Sequence, residues 1–107
     1  PRPPALIFHG TDDRVLAYDG RAGQMPVRGF AAAWGSSPGC VAAPEPRGRT
    51  GDARRERWAC PGAVAELVTL EGKGHSWPGS DMPARITSRD IDATAEIWAF
   101  FRSAHGE

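Results

Sequence analysis

ALIFHGTDD, residues 5–13, changes abruptly from apolar side chains to residues that favour loops. The run over residues 5–8 has no alternation of apolar and polar side chains, as expected of a parallel strand that helices cover on both faces. His9, Gly10 and the residues up to Asp13 favour a polar loop. We therefore predict a buried strand whose loop lies at the carboxyl edge of an open α/β sheet, where such sheets bind ligands.

A second strand is predicted over residues 64–70, where β-branched and apolar side chains dominate until Glu71 and Gly72. It leads into KGHSWPG, residues 73–79, a loop flanked by glycines that again follows the carboxyl end of a strand. Because the carboxyl ends of parallel strands lie at one edge of a sheet, we expect His75 to share a site with Asp12 and Asp13.

Apolar residues recur every three or four positions in two further segments, which predicts two helices. The recurring residues are Val27, Phe30, Ala31 and Trp34 in the first segment and Ile91, Ala95, Trp98 and Phe101 in the second. Pro26 suits a first helical turn because its missing N–H costs nothing there, so the first helix is predicted over residues 26–34. Thr87 and Asp90 offer helix-start chemistry for the second helix, which is predicted to end near Ser103.

The stretch over residues 35–57 is dense in Gly, Pro and Arg and shows no sustained period, so it is predicted to be a long loop. The alternation of strands and helices is typical of an α/β domain, and we expect residues 1–107 to form one unit. Two parallel strands alone leave unpaired edges and a poor core. We therefore expect this unit to be an incomplete part of a larger sheet.

The overall charge argues against nucleic-acid and membrane-surface partners. The chain has 107 residues with 13 basic and 13 acidic side chains, so there is no basic surplus to neutralise phosphates or anionic lipids. Its apolar runs fall far short of the roughly 20 residues that span a bilayer. No signal segment opens the sequence, so an export signal is expected upstream of Pro1.

Cys40 and Cys60 lack the close Cys or His companions that a zinc site requires. A single disulfide is the preferred interpretation, and two unrelated buried thiols are the alternative. The disulfide would contribute roughly 3 kcal/mol through the unfolded state and would indicate an oxidising compartment.

Asp13 and His75 occur in the order that a Ser-His-acid triad requires in α/β-hydrolases, where the serine comes earlier in the chain. In such a triad the carboxylate accepts a hydrogen bond from one imidazole nitrogen, fixes its tautomer and stabilises the imidazolium. Each residue also has a structural interpretation. Asp13 would then be a loop carboxylate that bonds its own backbone, and His75 a loop histidine without a catalytic role.

Nearly the whole chain resembles the C-terminal portion of secreted polyhydroxybutyrate depolymerases and feruloyl-esterase-like α/β-hydrolases. The segments that carry the resemblance are LIFHGT (residues 6–11) with Asp13, YDG (18–20), Trp34, Cys40, Cys60, GKGHSWPG (72–79), DIDAT (90–94) and WAFF (98–101). The segment around His75, Trp77 and Pro78 is the most specific of these.

The resemblance implies the last two parallel strands of an α/β-hydrolase fold with their helices. It implies that Asp13 is the triad acid, that His75 is the general base, and that the two cysteines form the family's disulfide. The family's serine lies upstream, in a strand-turn-helix segment that this chain does not contain. Arg14 and Ala17 stand where the family usually has prolines, so the acid loop is expected to be less rigid.

GSSPG, residues 35–39, matches the G-x-S-x-G pattern of a nucleophile elbow, but we do not expect it to be one. An elbow follows a strand, whereas this segment follows a predicted helix and comes after Asp13 in the chain. The residue after the elbow serine contributes its N–H to the oxyanion hole, and Pro38 has none.

The sequence therefore predicts an extracellular serine carboxylesterase that needs no cofactor or metal and acts on a polyester, a short ester or a hydroxycinnamoyl ester. The 107 residues alone are expected to be inactive. Trp77 and, more weakly, Tyr18 are candidates for substrate contact, with packing as the alternative for both; His9 is expected to be structural. The other functions considered are a non-catalytic remnant or binding module of the same fold, and a peptidase or dienelactone-type hydrolase.

Overall fold

A computed structural model describes residues 3–21, 23–76, 78–83 and 85–104. It contains a mixed four-stranded sheet and two helices. In chain order the elements are β1 (Ala5–Gly10), α1 (Val27–Trp34), β2 (Glu45–Thr50), β3 (Ala53–Cys60), β4 (Ala63–Leu70) and α2 (Ala93–Ala104).

The sheet has the strand order β1-β4-β3-β2. β1 and β4 are parallel, with Ala5 opposite Ala65 and Gly10 opposite Leu70, so both strands end at the same edge. β3 is antiparallel to β4, and β2 is antiparallel to β3. The two strands expected from the sequence are therefore present and parallel, within an α/β arrangement of mixed direction.

The long loop predicted over residues 35–57 is wrong, because this stretch contains β2 and most of β3. Every residue of β2 is exposed, so burial imposes no hydrophobic pattern on it. In β3, polar residues occupy inward positions. Glu56 is buried and accepts hydrogen bonds from Arg28 of α1. A charged residue therefore occupies a buried position where an apolar one would have predicted a strand.

The helices lie on opposite faces of the sheet, since Glu56 of β3 pairs with Arg28 of α1 whereas the adjacent Arg55 pairs with Glu96 of α2. On the α1 face the core contains Tyr18, Val27, Ala31, Ala42, Trp58, Ala65 and Leu67. On the other face it contains Ala53, Val68, Leu70 and Ile91, with Leu6 and Phe8 packed against them. This packing on both faces explains why β1 and β4 are mostly apolar without a strict alternation of apolar and polar residues.

Both predicted helices are confirmed, but α2 does not start with Thr87 or Asp90. Its first turn is capped by Asp92, whose Oδ1 accepts hydrogen bonds from the backbone N–H groups of Thr94 and Ala95 at 2.9 and 3.3 Å. Thr87 is buried six positions before α2 begins, and Asp90 accepts a hydrogen bond from the backbone N–H of Asp52. Neither side chain therefore caps the helix, and Asp90 instead bonds the turn between β2 and β3.

The predicted disulfide between Cys40 and Cys60 is confirmed, with an S–S distance of 2.08 Å. It joins the segment after α1 to the end of β3, a sequence separation of 20 residues. Within the described ranges, no helix has the length and apolar character needed to cross a membrane.

Candidate functional site

Two loops meet where the parallel strands β1 and β4 end. The backbone N–H of Thr11 donates to the carbonyl of Leu70 at 3.0 Å, and that of Asp12 donates to Lys73 at 2.9 Å. Gly10 is required at this junction, because a Cβ there would lie 2.2 Å from the Lys73 carbonyl oxygen. The expected meeting of the two loops at one sheet edge is thus observed.

Asp13 is buried in this junction and uses both carboxylate oxygens. Its Oδ1 accepts hydrogen bonds from the backbone N–H groups of Val15 and Leu16, each at 2.8 Å. Its Oδ2 lies 2.9 Å from Nδ1 of His75. One oxygen of Asp13 therefore closes its own loop and the other contacts the histidine, while the role of triad acid stays a prediction.

The charge of Asp13 follows from these contacts. Burial alone would raise the pKa of its carboxyl, but hydrogen bonds from Leu16, His75 and Val15 outweigh burial and lower the pKa below its ordinary value. Asp13 is therefore a carboxylate at neutral pH and can only accept. It follows that Nδ1 of His75 carries the proton and donates, which leaves Nε2 of the neutral ring with a lone pair.

The His75 ring is largely open to solvent on the side away from Asp13. The His75 side chain is 53% exposed, whereas the Asp13 side chain is 5% exposed. Its loop is held from the far side, since the Gly74 backbone N–H and the Ser76 hydroxyl both donate to the carbonyl of Ile86, at 2.9 and 2.7 Å. In the part of the chain that the structure describes, no serine hydroxyl is hydrogen-bonded to the His75 ring.

His9 also touches the acid, which the sequence analysis did not anticipate. Its Nε2 lies 2.6 Å from the carbonyl oxygen of Leu16 and 3.5 Å from Oδ2 of Asp13. A carbonyl only accepts, so Nε2 of His9 is the donor. The one feature of the sequence that could have predicted this contact is the short spacing of four residues between His9, near the end of the predicted strand, and Asp13 in the loop after it.

Tyr18 lies in the core beneath the acid loop. Its hydroxyl is 2.7 Å from Oγ1 of the fully buried Thr69, and its ring meets that of His9 edge-on at 5.6 Å. The observed contacts are those of a packing residue, so substrate contact by Tyr18 stays a prediction. Trp77, the other candidate for substrate contact, lies outside the described residues.

A cavity of about 420 Å³ opens beside His75. It is lined by Asp12, Arg14, Val15, Gly74, His75, Arg85 and Ile86. The two neighbouring carboxylates therefore have different surroundings. Asp13 is buried and faces the imidazole, while the exposed Asp12 borders the cavity. The pairing of His75 with Asp13 rather than Asp12 agrees with the sequence-based expectation.

The GSSPG segment does not have the geometry of a nucleophile elbow. It follows α1 rather than a strand, and Ser37 pairs with Cys40 in a tight turn beside the disulfide. The Ser36 hydroxyl donates to the carbonyl of Ala32 and accepts from the N–H of Ala42, so it is engaged in closing the helix end.

Across the described residues, no group of three or more His, Cys, Asp or Glu side chains is arranged to hold a metal ion. No protein-family model matches the chain, and no curated protein or solved structure matches it significantly. The interpretation of the site therefore depends on its own geometry.

Proposed function

We propose that this chain supplies the acid and the general base of a Ser-His-Asp triad in a carboxylic ester hydrolase of the α/β-hydrolase fold. The observation that carries the proposal is the 2.9 Å contact between Oδ2 of the buried Asp13 and Nδ1 of the exposed His75. A buried carboxylate behind an exposed imidazole is the arrangement that a serine nucleophile needs.

In the proposed reaction, Nε2 of His75 removes the proton of a serine hydroxyl as the serine oxygen bonds to the ester carbonyl carbon. The imidazolium, stabilised by Asp13, then gives that proton to the alcohol oxygen as the carbon–oxygen bond breaks. A water molecule attacks the acyl-serine in the same way, with His75 again as base, and releases the acid and the free serine. The serine and the oxyanion-hole donors belong to a segment outside these 107 residues.

The sheet supports the α/β-hydrolase assignment. In the described sheet, β1 is an outer strand, and its residues from Ala5 to His9 are only partly buried although most of them are apolar. An additional parallel strand beside β1, with its own helices, would cover these side chains. That is where we place the segment with the serine.

The disulfide supports an extracellular location, because such bonds persist in oxidising compartments. The ester is proposed as a polyester, a short-chain ester or a hydroxycinnamoyl ester, in keeping with the resemblance of the sequence.

The test uses the protein expressed from the coding region of this chain together with the coding sequence immediately upstream of Pro1. This protein is assayed for hydrolysis of p-nitrophenyl butyrate. Changing His75→Ala or Asp13→Asn is expected to lower kcat by about 10³-fold or more, as at other triads. Glu45→Gln is the control, since this exposed carboxylate lies on β2 at the opposite edge of the sheet, and it should retain activity within about threefold.

Equal rates for the parent and His75→Ala would overturn the proposal. An inactive parent protein, with a folded chain that nevertheless binds esters, would favour a binding module instead.

A further inference from the structure

The turn between β2 and β3, residues 51–52, lies against the segment that precedes α2. Gly51 has a φ of 57°, and a Cβ at this position would overlap Oδ2 of Asp90. The same oxygen accepts a hydrogen bond from the backbone N–H of Asp52 at 2.9 Å. The turn is therefore held close to this segment, although the β2–β3 hairpin contributes no residue to the proposed triad.

The side chain of Asp52 contacts two different loops. Its Oδ1 accepts a hydrogen bond from the hydroxyl of the buried Ser88 at 2.5 Å, and its Oδ2 lies 3.6 Å from Nζ of Lys73. The side chains of Asp52 and Lys73 are 18% and 20% exposed, so water and salt screen this ion pair less than a fully exposed one. Asp52 therefore links the loop of Lys73 to the loop of Ser88.

Both of these loops hold His75. Lys73 lies two residues before His75, and its carbonyl accepts a hydrogen bond from the backbone N–H of Asp12 in the acid loop at 2.9 Å. Ser88 lies two residues after Ile86, whose carbonyl accepts hydrogen bonds from the residues on either side of His75. The link through Asp52 thus completes a closed ring of contacts around the histidine loop.

We propose that Asp52 is a positioning residue that keeps Nδ1 of His75 on the carboxylate of Asp13. Its own carboxylate is directed at Lys73 and Ser88, so it acts through the two loops. This inference rests on the proposed function, because His75 is a general base only in that proposal. Without the ion pair, the imidazole leaves the acid more often, while the groups that bind the substrate are unchanged.

The experiment measures which ring nitrogen of His75 carries the proton, in the 107-residue chain itself. The chain has three histidines, so ¹⁵N labelling of histidine gives few ring signals, and His75→Ala identifies the relevant ones. The bond to Asp13 holds the proton on Nδ1, so a ring that leaves the acid loses this preference. The ¹⁵N chemical shifts at a pH where the ring is neutral give the ratio of the two tautomers.

Asp52→Asn removes the charge that faces Lys73 but retains an acceptor for the hydroxyl of Ser88. It is expected to shift the tautomer ratio of His75 about five- to tenfold away from the Nδ1–H form. Lys73→Met should have a similar effect. The double variant should shift the ratio no further than the larger single change, because both substitutions remove the same ion pair.

Glu66→Gln is the matched control. Glu66 pairs with Arg57 at 3.0 Å, and its side chain is 13% exposed, so this variant also loses a partly buried ion pair. It lies on β4 four residues before the strand ends, away from the loop of His75. The tautomer ratio should therefore stay within about twofold of the parent value.

The catalytic consequence is measured in the protein expressed with its upstream coding sequence. Asp52→Asn is expected to lower kcat for p-nitrophenyl butyrate about tenfold and to change KM less than about twofold, because a displaced base slows the reaction of bound substrate.

An unchanged tautomer ratio in Asp52→Asn, an equal shift in Glu66→Gln, or additive shifts from the two single changes would overturn the inference. A parent kcat in Asp52→Asn would overturn it as well. The tautomer ratio is measured without serine or substrate. A shifted ratio in a protein that hydrolyses no ester would therefore refute the esterase proposal and still support the positioning of His75 by Asp52.

Discussion

Oδ2 of Asp13 and Nδ1 of His75 lie 2.9 Å apart although 62 residues separate them in the chain. The contact is a consequence of the parallel pairing of β1 with β4, which ends both strands at the same level of the sheet. The backbone bonds between the two following loops then fix the carboxylate and the ring in register. The pair is therefore specified by the sheet, not by the loops alone.

The first prediction concerns the pH dependence of stability. The pKa of Asp13 is lowered below its ordinary value of 3.8, so the folded chain binds this proton less readily than the unfolded chain. The stabilisation is complete above the unfolded pKa and is lost as the pH falls through the folded pKa. Asp13→Asn should lower the free energy of unfolding by about 1–3 kcal/mol at pH 7. The difference in this free energy between variant and parent should become smaller below about pH 4.

Urea denaturation of both proteins between pH 7 and pH 2.5 measures this gap. Asp12→Asn serves as the control and should run parallel to the parent throughout. A gap for Asp13→Asn that stays constant with pH would show that the carboxylate charge does not stabilise the fold.

His9 gives a prediction about the acid loop. Because its Nε2 donates to the carbonyl of Leu16, His9→Ala should loosen the turn that Asp13 closes with Val15 and Leu16. Loss of one hydrogen bond of about 1 kcal/mol predicts roughly five- to tenfold faster amide exchange at these two residues. His9→Gln, which retains a donor, should restore much of the protection.

Hydrogen exchange followed by NMR provides the measurement, with the buried β4 amide of Val68 as an internal reference. If Val68 and the loop amides accelerate equally, the substitution has destabilised the whole domain, and the specific positioning role of His9 is wrong.

The parts of the fold that follow from the sequence are those that burial dictates. β4 is mostly buried and β1 packs apolar side chains on both faces, so their mostly apolar sequences identified them and placed Asp13 and His75 at one edge. The β2–β3 hairpin escaped detection because β2 is exposed throughout and Glu56 of β3 is buried as an ion pair with Arg28. Periodicity of apolar residues carries no information about strands of that kind.

Tertiary contacts also decided the start of α2 and the role of His9. Ser88 and Asp90, which precede the helix, bond the Asp52 side chain and backbone in the hairpin turn, at 2.5 and 2.9 Å. They are therefore unavailable as caps, and Asp92 takes that role. The contact of His9 with Asp13 depends on the path of the loop after Gly10, which local propensity does not determine.

The disulfide is expected to be a major contributor to stability. Closing a loop with a separation of 20 residues should contribute about 3 kcal/mol by restricting the unfolded chain. Reduction with dithiothreitol, or the double change Cys40→Ala and Cys60→Ala, should lower the free energy of unfolding by that amount. The double variant is its own control, since dithiothreitol should leave its denaturation midpoint unchanged; a parent protein equally stable with and without reductant would contradict the prediction.

The buried hydroxyl groups of Tyr18 and Thr69 are expected to contribute to the free energy of unfolding as a coupled pair. Their oxygens lie 2.7 Å apart, with Thr69 fully buried, so removing one partner leaves the other without compensation for lost water. Tyr18→Phe and Thr69→Val should each destabilise the chain by about 1–2 kcal/mol, whereas the double variant should cost less than their sum. Urea denaturation of the four proteins gives the coupling free energy directly. Strict additivity would mean that the two hydroxyls do not interact, and would free the Tyr18 hydroxyl for the substrate contact that the sequence predicts.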